Sequence, residues 1–299
     1  RYKFPILLLI AITLSCNSGI PSTIYPFVMG ALSANSPDLS MAMYAYCAGM
    51  VCSIPLIFRL GGVIPKKTLI IFLILVLMAI NFLLAINDNV LVNVMLMFVF
   101  GCVKIIVTMA LITELMPYLM PKGERYQMYA VYYPMNMILP VIGGLISVML
   151  AQRYYWEIGF HFQNLMLFIC LLLVLCTFKT QAIVRIPLFQ YDWFGTILLA
   201  SSLLSFSFVC SYAVQNNWFY SPSIIIATVL CIVFFMLFFN RNYRKKRKVI
   251  SFSTMADKGT FLTLLTIFLL GMFYANSSLL NYLLNNLVPN NPGKVAEIN

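Results

Sequence analysis

The sequence predicts an all-α fold, a polytopic transmembrane helical bundle with about nine spans. Three observations predict it. Of 299 residues, 62% are hydrophobic and only 9% charged, with a mean hydropathy of +0.94. The apolar residues gather into nine stretches, each near the ~20 residues a helix needs to cross hydrocarbon. The basic residues then fall on alternate connections, the asymmetry that orients membrane proteins. A soluble domain carries about 25% charged residues. A water-soluble fold of this length could not cover so much apolar surface, whereas a bilayer acts as its solvent.

The spans run over residues 5–30, 39–60, 68–87, 90–117, 126–151, 162–179, 193–214, 221–240 and 260–287. Span 1 opens apolar and turns polar at mid-depth, with Ser15, Cys16, Asn17, Ser18, Gly19, Pro21, Ser22 and Thr23. Gly19 and Pro21 are expected to loosen it and free backbone carbonyls. Span 3 is almost wholly apolar, as is span 6 from Leu165 to Phe178, so both can face lipid all round. Span 4 holds Lys104 near its middle and Glu114 about one turn from its end. Span 5 holds Pro134, Asn136, Pro140, Gly143 and Gly144, a pattern that permits a bend and a close neighbour. Span 9 carries Asn276, Ser277, Ser278, Asn281, Asn285 and Asn286.

A cytoplasmic N-terminus puts Arg1 and Lys3, then Arg59, Lys66 and Lys67, then Lys122 and Arg125, then Lys179 and Arg185 on the inner side. The run Arg241–Lys248 and Lys258 also fall there, while only Arg153 and Lys294 fall outside. The net charge of +11 is therefore explained by topology, and nucleic acid is not an expected partner. Membrane lipid is. The run Arg241–Lys248 reads as a topological anchor or a lipid head-group site. The eight cysteines all sit in apolar stretches without a CxxC pair, so neither a disulfide framework nor a metal site is expected. The chain opens on Arg1 and stops at Asn299 without a terminal feature, so a fragment is expected at both ends.

Polar groups at bilayer depth are expensive unless they meet protein or water. A mid-bilayer lysine costs at least ~2.5–3.5 kcal/mol on insertion scales, which calls for a partner or a wet cavity at Lys104. The candidate cavity residues are Asn17, Thr23, Lys104, Asn136, Asn276 and Asn281, with hydrogen bonding between helices as the alternative role of the polar clusters. Glu114 is the candidate for proton coupling, or a group that reaches head groups at the membrane edge. One histidine, His161 at an outer edge, and one isolated glutamate supply no catalytic constellation, so an enzyme is not expected.

These residues resemble the major facilitator superfamily, in its fourteen-span drug:proton antiporter branch. Pro140-Val-Ile-Gly143-Gly144 looks like the second half of the antiporter motif, with Leu139 where the family has a glycine. Arg59, Lys66 and Lys67 occupy the family's basic gating loop, which here lacks its acidic residue. Met97 stands four residues before Gly101, at the family's arginine position, with Lys104 one turn beyond Gly101. Asp192-Trp193-Phe194-Gly195 and Trp218 look like the start of the branch's two additional spans.

The resemblance implies a six-span bundle over 1–185, two central spans over 186–258, and a second bundle opening at 259–299, with about five further spans beyond. It also implies an inner-membrane exporter of amphipathic small molecules working by alternating access. No cofactor is implied, a proton gradient supplies the energy, and a periplasmic adaptor and an outer-membrane channel are the partners. The rival expectations are an uptake transporter of the same fold for a sugar, peptide or organic anion, and an intramembrane enzyme.

Overall fold

A computed structural model of the chain describes residues 3–32, 34–60, 63–120, 124–178, 192–245 and 257–287, without the side chains of 3, 29, 58, 59, 125 and 273–287. The helices among them are α1 (Lys3–Leu32), α2 (Ser36–Leu60), α3 (Lys66–Ile86), α4 (Val90–Leu119), α5 (Arg125–Arg153), α6 (Glu157–Thr177), α7 (Trp193–Tyr212), α8 (Pro222–Arg244) and α9 (Lys258–Leu287). Each predicted span is one helix. Among the described residues eight helices, α1 to α8, are long and apolar enough to cross a membrane; the side chains of α9 are described only to Met272. Helix α6 starts five residues before its predicted span, because Gly159, Phe160 and Gln163 in its first turns are buried.

Residues 1–249 and 250–299 form two compact units. In the first, α1 packs against α4, α5 and α6, and α2 against α4 and α7. Helix α3 packs against α4 and α6, and α7 against α8. Ile10, Ile20 and Ile24 of α1, Ile70, Ile74 and Leu77 of α3, Met97, Phe100 and Val107 of α4, and Phe160, Leu167 and Cys170 of α6 share one apolar core. Helices α3 and α6 are therefore not surrounded by lipid, as their sequences suggest. Each turns one face inward and leaves residues such as Phe72, Phe82 and Leu172 exposed.

Two crossings bring backbones together through glycine. A Cβ added to Gly19 would lie 2.0 Å from Pro140 O, and one on Gly143 2.1 Å from Cys16 O. The same happens between α2 and α4, where a Cβ on Gly49 would lie 2.1 Å from Phe98 O and one on Gly101 2.1 Å from Tyr46 O. Without a hydrophobic drive between helices in lipid, such close packing is a main source of association.

Helix α7 is tied at both ends. At its start, Asp192 accepts from the Gly195 amide and from Arg241 of α8, whose Nη2 lies 2.7 Å from Oδ1 and whose Nε lies 3.0 Å from it. The Arg241 guanidinium also sits over the Phe194 ring, 4.8 Å from its centroid. At its end, the Tyr212 hydroxyl donates to Asp38 at the start of α2. Midway, Ser202 Oγ donates to Cys231 O of α8.

In the second unit, α9 returns the hydroxyls of Thr263 and Thr266 to carbonyls one turn earlier, Gly259 O and Leu262 O.

Gly19→Ala and Gly143→Ala should each destabilise the protein by about 1–3 kcal/mol through overpacking, whereas Gly30→Ala, which meets nothing within 4 Å, should not. Thermal unfolding in detergent checks this.

Burial draws the Asp192 carboxyl up, but hydrogen bonds from Arg241 and Gly195 and the charges of Arg241 and Lys245 outweigh it, holding the group below the ordinary carboxylate range. Such a group contributes stability above its unfolded pKa of ~3.9, and the contribution is lost as pH falls through the lower folded value. Asp192→Asn should cost about 1 kcal/mol at pH 7. The gap to wild type should close below about pH 3.9.

Candidate functional site

The polar residues of α1 meet three neighbours. Toward α5, Ser15 Oγ donates to Asn136 Oδ1 over 3.2 Å, and Asn136 Nδ2 donates to Tyr132 O over 2.9 Å. One helical turn past Gly19, Thr23 Oγ1 and Ser147 Oγ lie 3.2 Å apart and share a hydrogen. Toward α6, Asn17 and Gln163 exchange two bonds. Asn17 Nδ2 donates to Gln163 O and Gln163 Nε2 to Asn17 O, each at 3.4 Å. Proline explains the second bond. Pro21 has no amide hydrogen, so Asn17 O lacks its helical donor, and Gln163 supplies one. The expected freeing of carbonyls thus occurs, but α1 stays helical throughout and the freed group is taken by a side chain. The oxygens Asn17 Oδ1 and Gln163 Oε1, both buried, have no partner among the described residues.

Toward α4, α1 receives Lys104. Its side chain is 3% exposed, and Nζ donates to Leu14 O over 3.0 Å. Among the described residues no carboxylate lies within 4 Å of that ammonium. Cys16 of α1 and Cys170 of α6 are its titratable neighbours. Between α1, α4 and α5 lies a cavity of about 20 Å³ lined by Leu14, Ser15, Ser18, Thr108, Tyr132 and Asn136, among others. That is room for one water and far below the ~300–1,000 Å³ of ligand pockets. Asn136 is therefore both a seam residue and a cavity wall. Asn17 and Thr23 act in the seams, and Lys104 donates to Leu14, one of the lining residues, without lining the cavity itself.

The bases expected in a loop instead lie in helices, Arg59 within α2 and Lys66 and Lys67 in the first turn of α3, where Lys66 reaches α4 and Lys67 reaches α6. Lys66 Nζ lies 2.7 Å from Glu114 Oε1, and both side chains are partly exposed. Lys67 Nζ donates to Leu175 O in the last turn of α6, where a helix end carries partial negative charge. Lys66 thus takes its carboxylate from Glu114 of α4, 48 residues on. Pro140, Gly143 and Gly144 fall together on α5, and their contribution is the close approach to α1: a Cβ on Gly144 would lie 2.7 Å from Thr23 Cγ2. The side chains of Arg59, Asn276 and Asn281 lie outside the described residues, as do the domain boundary at 185 and the bases 246–248.

Sequence reasoning missed Gln163 and Ser147, while it singled out Ser15 only as one of a polar cluster. Gln163 is an amide in the first turns of an apolar helix, and it fell at the edge of the predicted span.

A paired glycine crossing, polar seams on α1, and a base of α3 locked to α4 fit one kind of protein, and comparison decides which. The sequence pattern of the Major Facilitator Superfamily matches residues 7–296.

The chain belongs to the major facilitator superfamily.

Its transporters cross the membrane many times, as this helical bundle does, and move solutes without covalent chemistry. A curated relative is the Colistin resistance protein EmrB of Acinetobacter baumannii, 23% identical over 182 residues. The match covers 60% of this chain and 34% of that relative, so the chain spans about a third of the relative's length.

Removing the Gln163 amide strands buried groups of Asn17. Gln163→Leu should lower stability by about 1–3 kcal/mol. Glu114→Gln should cost less than about 1 kcal/mol, since the ion pair is partly exposed, and the swap Lys66→Glu with Glu114→Lys should recover most of it. Unfolding midpoints of the purified variants measure both.

Proposed function

We propose that this chain belongs to a proton-coupled exporter of amphipathic small molecules, seated in the inner membrane with its N-terminus in the cytoplasm and working by alternating access. The observation that carries the reading is the family match over nearly the whole chain. The relative whose name records colistin resistance supports the drug-export branch. In this class one bundle rocks against another around a midplane site, and substrate and proton bind the two states with different affinity.

The residues divide by task in this reading. Lys104, the α1–α5 seam with Thr23 and Asn136, and Asn17 in the α1–α6 seam shape the midplane surface. Glu114 and Lys66 form a latch at the basic end: a proton reaching Glu114 releases Lys66 and loosens the crossing of α3 on α4. Lys67 ties the start of α3 to the end of α6 through Leu175 O. Pro140, Gly143 and Gly144 keep α5 close against α1 as the bundle turns. A periplasmic adaptor and an outer-membrane channel would carry the exported molecule onward.

One observation favours a second reading. Lys104 has no carboxylate beside it among the described residues, and an anionic substrate would supply the missing charge. That suits uptake of an organic anion by the same fold.

Flux in proteoliposomes with an imposed proton gradient separates the two. Proton movement opposite to a hydrophobic cation supports export, and movement in the same direction as an organic anion supports uptake. Lys104→Ala should lower the initial rate about tenfold, the effect of a ~1.4 kcal/mol rise in barrier, with little change in membrane insertion. Unchanged flux removes Lys104 from the path.

A further inference from the structure

A second cavity lies outside the polar seams. It opens between α2 and α7, has a volume of about 320 Å³, and lies within the size range of ligand pockets. Its floor is made by two small buried residues, Ala48 and Ser207, and its rim by the exposed side chains of Tyr44, Val51 and Phe206. Cys47 and Cys210, both exposed thiols, also line it.

The packing explains why the gap exists. Gly49, next to Ala48, draws α2 into backbone contact with α4. Helix α7 is held to α2 at its end, through Tyr212 and Asp38, and to α8 at Ser202. Pulled one way at its middle and fastened at its end, α2 leaves α7 a space that small side chains do not fill.

Depth and chemistry choose the occupant. Ala48 is the midpoint of α2 (Ser36–Leu60), and Leu203–Cys210 runs from the midpoint of α7 toward its end, so the cavity sits at hydrocarbon depth. Its lining carries no charged group, and the Ser207 hydroxyl is already used on Leu203 O. Apolar cavities stay dry, and protein interiors do not keep large voids. The exposed rim faces the surrounding solvent, which at this depth is acyl chain.

We propose that the α2–α7 cavity is a binding site for one acyl chain of a membrane phospholipid, held from the midplane outward between Ala48 and Ser207. A bound chain fills the space that the Gly49 crossing opens and completes the contact between α2 and the α7–α8 hairpin.

The test uses the full-length protein in nanodiscs with phospholipid brominated along its acyl chains, which quenches a nearby tryptophan. Phe206→Trp reports on the cavity, and Phe235→Trp on an exposed face of α8, each read as the difference from the parent protein. The site predicts half-maximal quenching at Phe206→Trp at about a tenfold lower bromolipid fraction than at Phe235→Trp. Adding either Ala48→Phe or Ser207→Phe, which fill the floor separately, should abolish the difference. Equal quenching at the two positions overturns the proposal. So does absence of quenching at Phe206→Trp, which would mean that polypeptide covers the cavity. So does quenching relieved by a hydrophobic cation at micromolar concentration, which would make the occupant a transported molecule.

Discussion

Hydrocarbon offers no hydrogen bonds, and that constraint arranges this molecule. A polar group at mid-depth has to find its partner within the protein, or stay unpaired at a cost of several kcal/mol. The cheapest partner is the helix itself. Thr13, Ser18, Ser22 and Thr108 each donate back to a carbonyl one turn earlier. Groups too long or too strong for that solution fix how helices meet. Asn17 and Gln163 hold α1 on α6, Asn81 donates to Asn164 to hold α3 on α6, and Lys104 reaches the α1 backbone.

Close approach and polar pairing depend on each other. Serine and threonine hydroxyls are short, so Ser15 meets Asn136 and Thr23 meets Ser147 only because Gly19 and Gly143 let α1 and α5 touch between them. A methyl group at either glycine would separate both hydroxyl pairs together. Packing and hydrogen bonding at this seam therefore form one cooperative contact, and α4 closes the small cavity beside it with Thr108, Leu111 and Leu115.

The helices were legible because membrane spans announce themselves through length and composition, and each predicted stretch corresponds to a helix. Which face each one shows was less so. The near-uniform apolarity of α3 hides the inward row of Ile70, Ile74 and Leu77, since lipid and protein core select the same side chains. Lys104 and Asn136 stood out as polar residues at forbidden depth, and each bonds to another helix or to its own: Lys104 to Leu14 O of α1, Asn136 to Ser15 of α1 and Tyr132 O of α5. The pairing of Lys66 with Glu114 was not legible: both charges were visible, but nothing in spacing joins residues that far apart in sequence. Asn17 was read for its side chain, yet part of its role comes from a backbone carbonyl released by Pro21, an effect that appears only when a neighbouring helix is in place.

The two ties on α7 have a consequence for the membrane around it. Asp192 and Tyr212 hold polar contacts at opposite ends of a helix of 20 residues, about 30 Å long, which is close to the thickness of a bilayer's hydrocarbon layer. Both ties are hydrogen-bonded to other helices, so α7 has little freedom to tilt in response to a thinner sheet. Lipid must adjust to this rod, through stretched or compressed chains at its perimeter. The hairpin thereby sets the local thickness of the surrounding bilayer and disfavours membranes whose resting thickness differs from its own.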